Sequence, residues 1–192
     1  MENLNLENYK LEGEELEIKL YPEPILLKKT KPIESIDNEL AQLAKNMLFT
    51  MYNAPGIGLA GPQIGKDKRM FVLDVDYERE ESTSENDDTK AILSSFNPMV
   101  FINPEITPIG EEKIKYQEGC LSLPGIYDDV TRYKNIQVDF MDINGEKKTL
   151  EADGLLSICI QHEKDHLDGI MFIDHLSLLK KNFYKKKFSK KK

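Results

Sequence analysis

The chain has 192 residues, 40% of them hydrophobic and 31% charged, with a formal net charge of −8. That apolar share suits one compact domain and is too high for an intrinsically disordered chain, and no apolar run approaches the roughly 20 residues of a membrane helix. Residues 180–192 hold eight lysines and no acid, which leaves 18 basic against 34 acidic residues in the first 179, a balance of −16. No membrane partner and no sequence-specific nucleic acid is expected for this acidic body. Its two cysteines, Cys120 and Cys159, lie far apart after an acidic start without an apolar leader. A disulfide framework is therefore not expected, and a cytoplasmic location is.

Residues 1–16 hold five glutamates and one lysine and read as a loosely ordered acidic extension. Pro22 and Pro24 imply an extended entry, since proline lacks the amide hydrogen and restricts its predecessor. From a plausible N-cap at Asp37, the three-four spacing of Leu40, Leu43, Ala44, Met47, Leu48 and Met51 predicts a helix to Tyr52, stopped by Asn53, Pro55 and Gly56. Residues 69–75 and 100–106 read as strands, and 77–98 as a long surface loop. Residues 113–117 and 135–141 alternate polar with apolar, and Asn144 and Gly145 supply the turn of a hairpin into 147–152. A second helix spans 155 to about 167 and ends at Asp168 and Gly169; a last helix starts near Ser177 and enters the lysine tail. This order predicts a single α+β domain of antiparallel or mixed strands around a central helix, with a basic C-terminal helix. The expected catalytic domain is 17–179, between the extension and a tail of 180–192.

The second predicted helix carries Gln161, His162, Glu163, Lys164, Asp165 and His166. Residues four apart stack on one helix face, so both imidazoles can meet one cation while Glu163 reaches a water there. This is the HExxH spacing of zinc hydrolases, although an amphipathic helix can also carry two such histidines as partly buried residues. A catalytic site takes a third protein ligand and keeps one position open. His175, Cys120, Cys159 and many carboxylates are candidates. His175 lies past the Gly169 turn and reads as a surface residue, and Cys159 reads as buried wall. Cys120, in EGCLS at a strand end, is the better choice because a thiolate binds divalent metals strongly, though alone it would pass for a small buried hydrophobe. The glycines of GIGLAGPQ at 56–63 suggest a phosphate loop, but the Gly-Lys-Ser/Thr ending is missing and Pro62 opposes a helix start. Such a loop can instead bring backbone amides and the Gln63 carboxamide close to a reacting carbonyl.

Together GIGLAGPQ, EGCLS at 118–122 and QHEKDH at 161–166 resemble, in order and character, the three signature motifs of the peptide deformylases. LYPEPIL near the start, NPEI at 103–106 and LDGIMFID after the histidines extend the resemblance over roughly residues 18–180. It implies metal ligation by Cys120, His162 and His166, with Fe2+ as the usual ion and zinc, nickel or cobalt able to replace it. It implies Glu163 as general acid and base, and Gln63 with the Leu121 amide as oxyanion donors. Gly58 and Gly119 would contact the peptide substrate, and Ile57, Tyr116, Leu155, Ile158, Cys159 and His162 would enclose its methionine side chain. The reaction implied is removal of formate from N-formylmethionyl nascent polypeptides. Gly61 stands where the family commonly has alanine, which would loosen that turn. The alternatives are an HExxH zinc endopeptidase, whose third ligand would lie downstream of the helix, and a binding protein on an inactive enzyme fold. The lysine tail suggests a solvated helix end or docking on ribosomal RNA through its phosphates.

Overall fold

Asp37 caps the first helix as its position predicts: its carboxylate accepts the Leu40 amide at 2.8 Å, and α1 runs Asn38–Asn53. The computed structural model describes residue 4, residues 6–80 and residues 91–189. Five strands follow α1 into one antiparallel sheet: β1 (Gly58–Ala60), β2 (Met70–Leu73), β5 (Met99–Pro108), β8 (Ile136–Met141) and β9 (Lys147–Ala152), paired in that order. Two further antiparallel pairs join β3 (Glu78–Glu80) to β4 (Ile92–Ser94), and β6 (Lys113–Gly119) to β7 (Tyr127–Tyr133). The helices α2 (Gly154–Leu167) and α3 (Leu178–Ser189) close the chain.

Strands β1 and β2 and the first half of β5 are buried on both faces, and the period-two rule shows how. Met70, Val72, Val100 and Ile102 point to one side and pack with Leu40, Ala44, Met47, Leu48 and Met51 of α1. Phe71, Leu73 and Phe101 point to the other side and pack with Cys159, Ile160 and Leu167 of α2. Phe71 faces Phe101 in register with ring centroids 4.7 Å apart, both fully buried, each such side chain contributing about 1.5–3 kcal/mol. On its outer side α2 meets the β6–β7 hairpin, through Gln161 to the Tyr133 backbone at 2.8 Å. A helix enclosed on both sides explains why polar Gln161, His162, Glu163 and His166 are all buried.

The chain departs from its sequence pattern in four places. Residues 58–60, within the expected turn-like loop, form edge strand β1, which is too short and too poor in β-branched residues to announce itself. Strand β7 is unannounced because its inward positions are Asp128, Val130 and Arg132, so polar groups occupy the core face. Part of the expected surface loop pairs as β3 and β4, while its residues 81–90 lie outside the described part of the chain. The expected loose extension is corrected as well. Leu4, Leu6, Tyr9, Leu11 and Leu16 pack onto the α1 core, and Asn46 and Thr50 of α1 accept the Glu14 and Leu16 amides at 3.1 and 2.9 Å.

A bulge in β5 ties the entry segment to the sheet. Between Ile102 and Glu105 the strand carries one residue more than β8, and Asn103 there has φ 50°, a left-handed conformation that asparagine tolerates better than most residues. Its carboxamide accepts the Ile33 amide at 2.9 Å and donates to the Ile33 carbonyl at 2.7 Å. Asn103→Ala is expected to destabilise the chain by about 2 kcal/mol, since two partly buried backbone groups lose their partner and alanine resists the backbone angle. Urea unfolding of the two proteins measures it.

Candidate metal centre and substrate cleft

Helical spacing stacks His162 over His166 with ring centroids 5.0 Å apart. The end of β6 delivers Cys120 against them, its Sγ 3.2 Å from His166 Nε2. The donor atoms of these three residues all lie within 4.8 Å of one another, the one such grouping among the described residues. Cys159 and His175 stand outside it. Cys159 instead donates to the Ile57 carbonyl at 3.6 Å, and burial pushes its thiol well above the usual range. His175 lies on the surface with Nε2 2.6 Å from Asp165.

The centre is held from behind by charges that the motifs alone do not explain. Glu118 meets His162 Nδ1 at 2.8 Å, which leaves Nε2 free to face the cluster. Arg132 grips the same carboxylate at 2.7 and 3.0 Å and Asp165 of α2 at 2.5 Å. Burial acts to raise the Glu118 carboxyl, but His162 and Arg132 outweigh it and hold it at about 2. Burial likewise acts to raise the Cys120 thiol, and the imidazoles of His166 and His162 draw it down to about 5. The residues fit a metal. A thiolate and two imidazoles form a donor set suited to first-row transition ions and unsuited to magnesium or calcium.

Glu163 is 3% exposed, and its Oε2 has no hydrogen-bond partner among the described residues. Burial, opposed by the two histidines, raises its carboxyl to about 7. A β-carbon on Gly58 would overlap the Glu163 carboxylate, so glycine in β1 makes the room this side chain occupies. Gly58→Ala is expected to lower turnover about 10²-fold by displacing that carboxylate, to be read in initial rates alongside metal content. Gln63 is oriented by the Ala60 amide, which donates to its Oε1 at 2.8 Å. Its Nε2 consequently faces Ser122 Oγ at 3.3 Å and Cys120 Sγ at 3.6 Å. The turn at Gly61 is tight rather than loosened: a β-carbon there would lie 2.5 Å from the Lys68 carbonyl oxygen.

A cleft of about 430 Å³ opens beside these groups. Ile57, Gly58, Tyr116, Gly119, Leu155, Ile158 and Cys159 all line it, together with Leu121 and Gln63. Its walls are mostly apolar side chains, and Cys120, His162 and Glu163 are its reactive groups. The exposed ring of Tyr127 also borders it, a residue for which the sequence carried no motif.

A family model described as polypeptide deformylase matches residues 15–182. The chain belongs to this family. The peptide deformylase of Agrobacterium fabrum is 47% identical over 171 residues, covering 89% of this chain and 92% of that protein. That of Acinetobacter baumannii is 42% identical over 175 residues, covering 91% and 90%. The crystal structure of peptide deformylase from Ehrlichia chaffeensis superimposes with a TM-score of 0.78 at 37% identity, covering 92% of this chain and 96% of that one. That from Synechococcus elongatus, in complex with actinonin, gives 0.75 at 39% identity, covering 91% and 88%. Membership makes the chain a metal-dependent hydrolase of the deformylase class and decides against the zinc endopeptidase. No helix among the described residues is long and apolar enough to cross a membrane.

Proposed function

We propose that this chain removes the formyl group from N-formylmethionyl nascent polypeptides in the cytoplasm and releases formate. The observation that carries this reading is the buried carboxylate of Glu163, its Oε2 without a partner among the described residues, beside the Cys120, His162 and His166 cluster at the wall of the cleft. Those three residues would hold the metal, with Fe2+ the ion proposed. Such an ion supplies Lewis acidity that polarises the formyl carbonyl and lowers the pKa of water toward about 7.

The rest of the chemistry belongs to the chain. Glu163, with its carboxyl near 7, takes the proton of the attacking water and returns it to the amine that leaves. Negative charge collects on the formyl oxygen, which the Gln63 amide and the Leu121 backbone N–H would meet. Loss of either donor is expected to slow the reaction about 10²-fold. Ile57, Tyr116, Leu155, Ile158 and Cys159 enclose the methionine side chain, while Gly58 and Gly119 admit the peptide backbone.

Formate release from formyl-Met-Ala-Ser by anaerobically purified protein tests the reading, with casein digestion in parallel. Release of formate without casein cleavage, stopped by actinonin, is expected. Casein cleavage, or no release from metal-loaded protein, would overturn it.

The lysine-rich α3 is proposed to dock on the ribosome. Its Phe188 is buried in the core around Leu26 and Phe172, so truncation would disturb the fold. Charge reversal of the exposed Lys187 is the cleaner variant, and unchanged co-sedimentation with ribosomes at low salt would refute the idea.

A further inference from the structure

The cleft has a lip in which two residues of three offer only backbone. Gly56, Ile57 and Gly58 line it, and the two glycines give the segment more conformational freedom than other residues would. Gly58 is fixed by its pairing with Leu73 in the sheet, and the Ile57 carbonyl accepts the Asp74 amide at 3.0 Å. The Gly56 carbonyl is held by a side chain from elsewhere: the Tyr77 hydroxyl donates to it at 3.1 Å.

Tyr77 is itself anchored. Asp74, wholly buried, accepts the Tyr77 amide at 3.1 Å and the Asp76 amide at 2.9 Å through Oδ1. Its Oδ2 accepts the Asn97 amide at 2.8 Å and the Tyr52 hydroxyl at 2.6 Å. The Tyr77 ring meets Tyr52 edge-on at 4.9 Å and 86°. One buried carboxylate thus fixes both strands that leave the sheet for β3 and β4, and the phenol projects from that anchor to the lip without lining the cleft.

We propose that Tyr77 is a positioning residue for the peptide substrate: its hydroxyl holds Gly56 and Ile57 in the shape that receives the substrate's main chain. The inference rests on the deformylase reading of the cleft. A lip held in place before binding spares the peptide the entropy of ordering it, so the effect falls on substrate binding. Gln63 and the Cys120 cluster are held by bonds that do not pass through Tyr77, and Gly58 beside Glu163 is fixed by its sheet pairing, so the chemical step is expected to change little.

The test is the steady-state kinetics of formate release from formyl-Met-Ala-Ser by the full, metal-loaded protein, its Tyr77→Phe variant and its Ser94→Ala variant. Tyr77→Phe keeps the ring and removes one hydrogen bond. Ser94, bonded to Glu78 at 3.3 Å, lies in the same strand pair without reaching the lip. Tyr77→Phe is expected to raise KM about three- to tenfold, with kcat within about twofold and the thermal midpoint within about 2 °C. Ser94→Ala is expected to change none of them. A KM within about 1.5-fold of the unaltered protein overturns the proposal, as does a joint fall in kcat and thermal midpoint, the mark of a merely structural role. No release by the unaltered protein would overturn the deformylase reading and this inference with it, an outcome separate from an active protein indifferent to Tyr77.

Discussion

Glu163→Gln is expected to lower formate release by about 10³-fold while fold and metal content are kept. The amide has nearly the carboxylate's shape, so it fills the space left open at Gly58 without a clash. It cannot accept a proton from water. Because Glu163 is buried with an unpartnered oxygen, the substitution breaks no carboxylate bond at Oε2, and the thermal midpoint should not fall. Rates, bound metal and midpoint measured on one preparation decide the matter. A variant retaining a tenth of the activity would show that the proton goes elsewhere.

Arg132→Met should be the most destabilising single change behind the centre, by about 3–5 kcal/mol. It removes the cation between two carboxylates, Glu118 and Asp165, and Glu118 is only 4% exposed. Methionine fills part of the volume and leaves Glu118 only its contact with His162 and Asp165 only its contact with His175. For a chain of this size the loss corresponds to a fall in thermal midpoint of about 10 °C. Glu118 would also lose its grip on His162, so metal affinity is expected to drop about 10- to 100-fold in competition with a chelator. Arg132→Lys should recover charge but not the two-pronged contact, and lie between. A loss under 1 kcal/mol would contradict this account of the centre's support.

The parts of the molecule that were legible beforehand are those in which local pattern and tertiary role coincide. Asp37 caps a helix whose apolar stripe is its buried face, and Gly145, at φ 83°, lets the chain turn from β8 into β9. Cys120, His162 and His166 were legible as a group through motif spacing and family resemblance, and the fold brings them together. What could not be read was support that acts across the chain. Glu118 stands inside EGCLS, yet its task depends on Arg132, 14 residues on, which is buried only because β7 turns its polar face to α2. Tyr77 follows the same logic, since its bond to Gly56 spans 21 residues of sequence, and although Gly56 opens GIGLAGPQ no motif marks Tyr77. Residues 6–16 misled through composition. Their glutamates suggest a solvated tail, whereas the leucines and Tyr9 between them cover the outside of α1.

We propose that one ion held by Cys120, His162 and His166 makes this cleft a deformylase. The direct test is to strip the metal with a chelator, titrate ferrous iron back under anaerobic conditions, and follow formate release from formyl-Met-Ala-Ser in the unaltered protein and in Cys120→Ala. Activity is expected to be absent after stripping, to rise linearly and to break at one iron per chain, and Cys120→Ala is expected to stay inactive throughout. Full activity in stripped protein, or in Cys120→Ala at the same iron concentration, would contradict it.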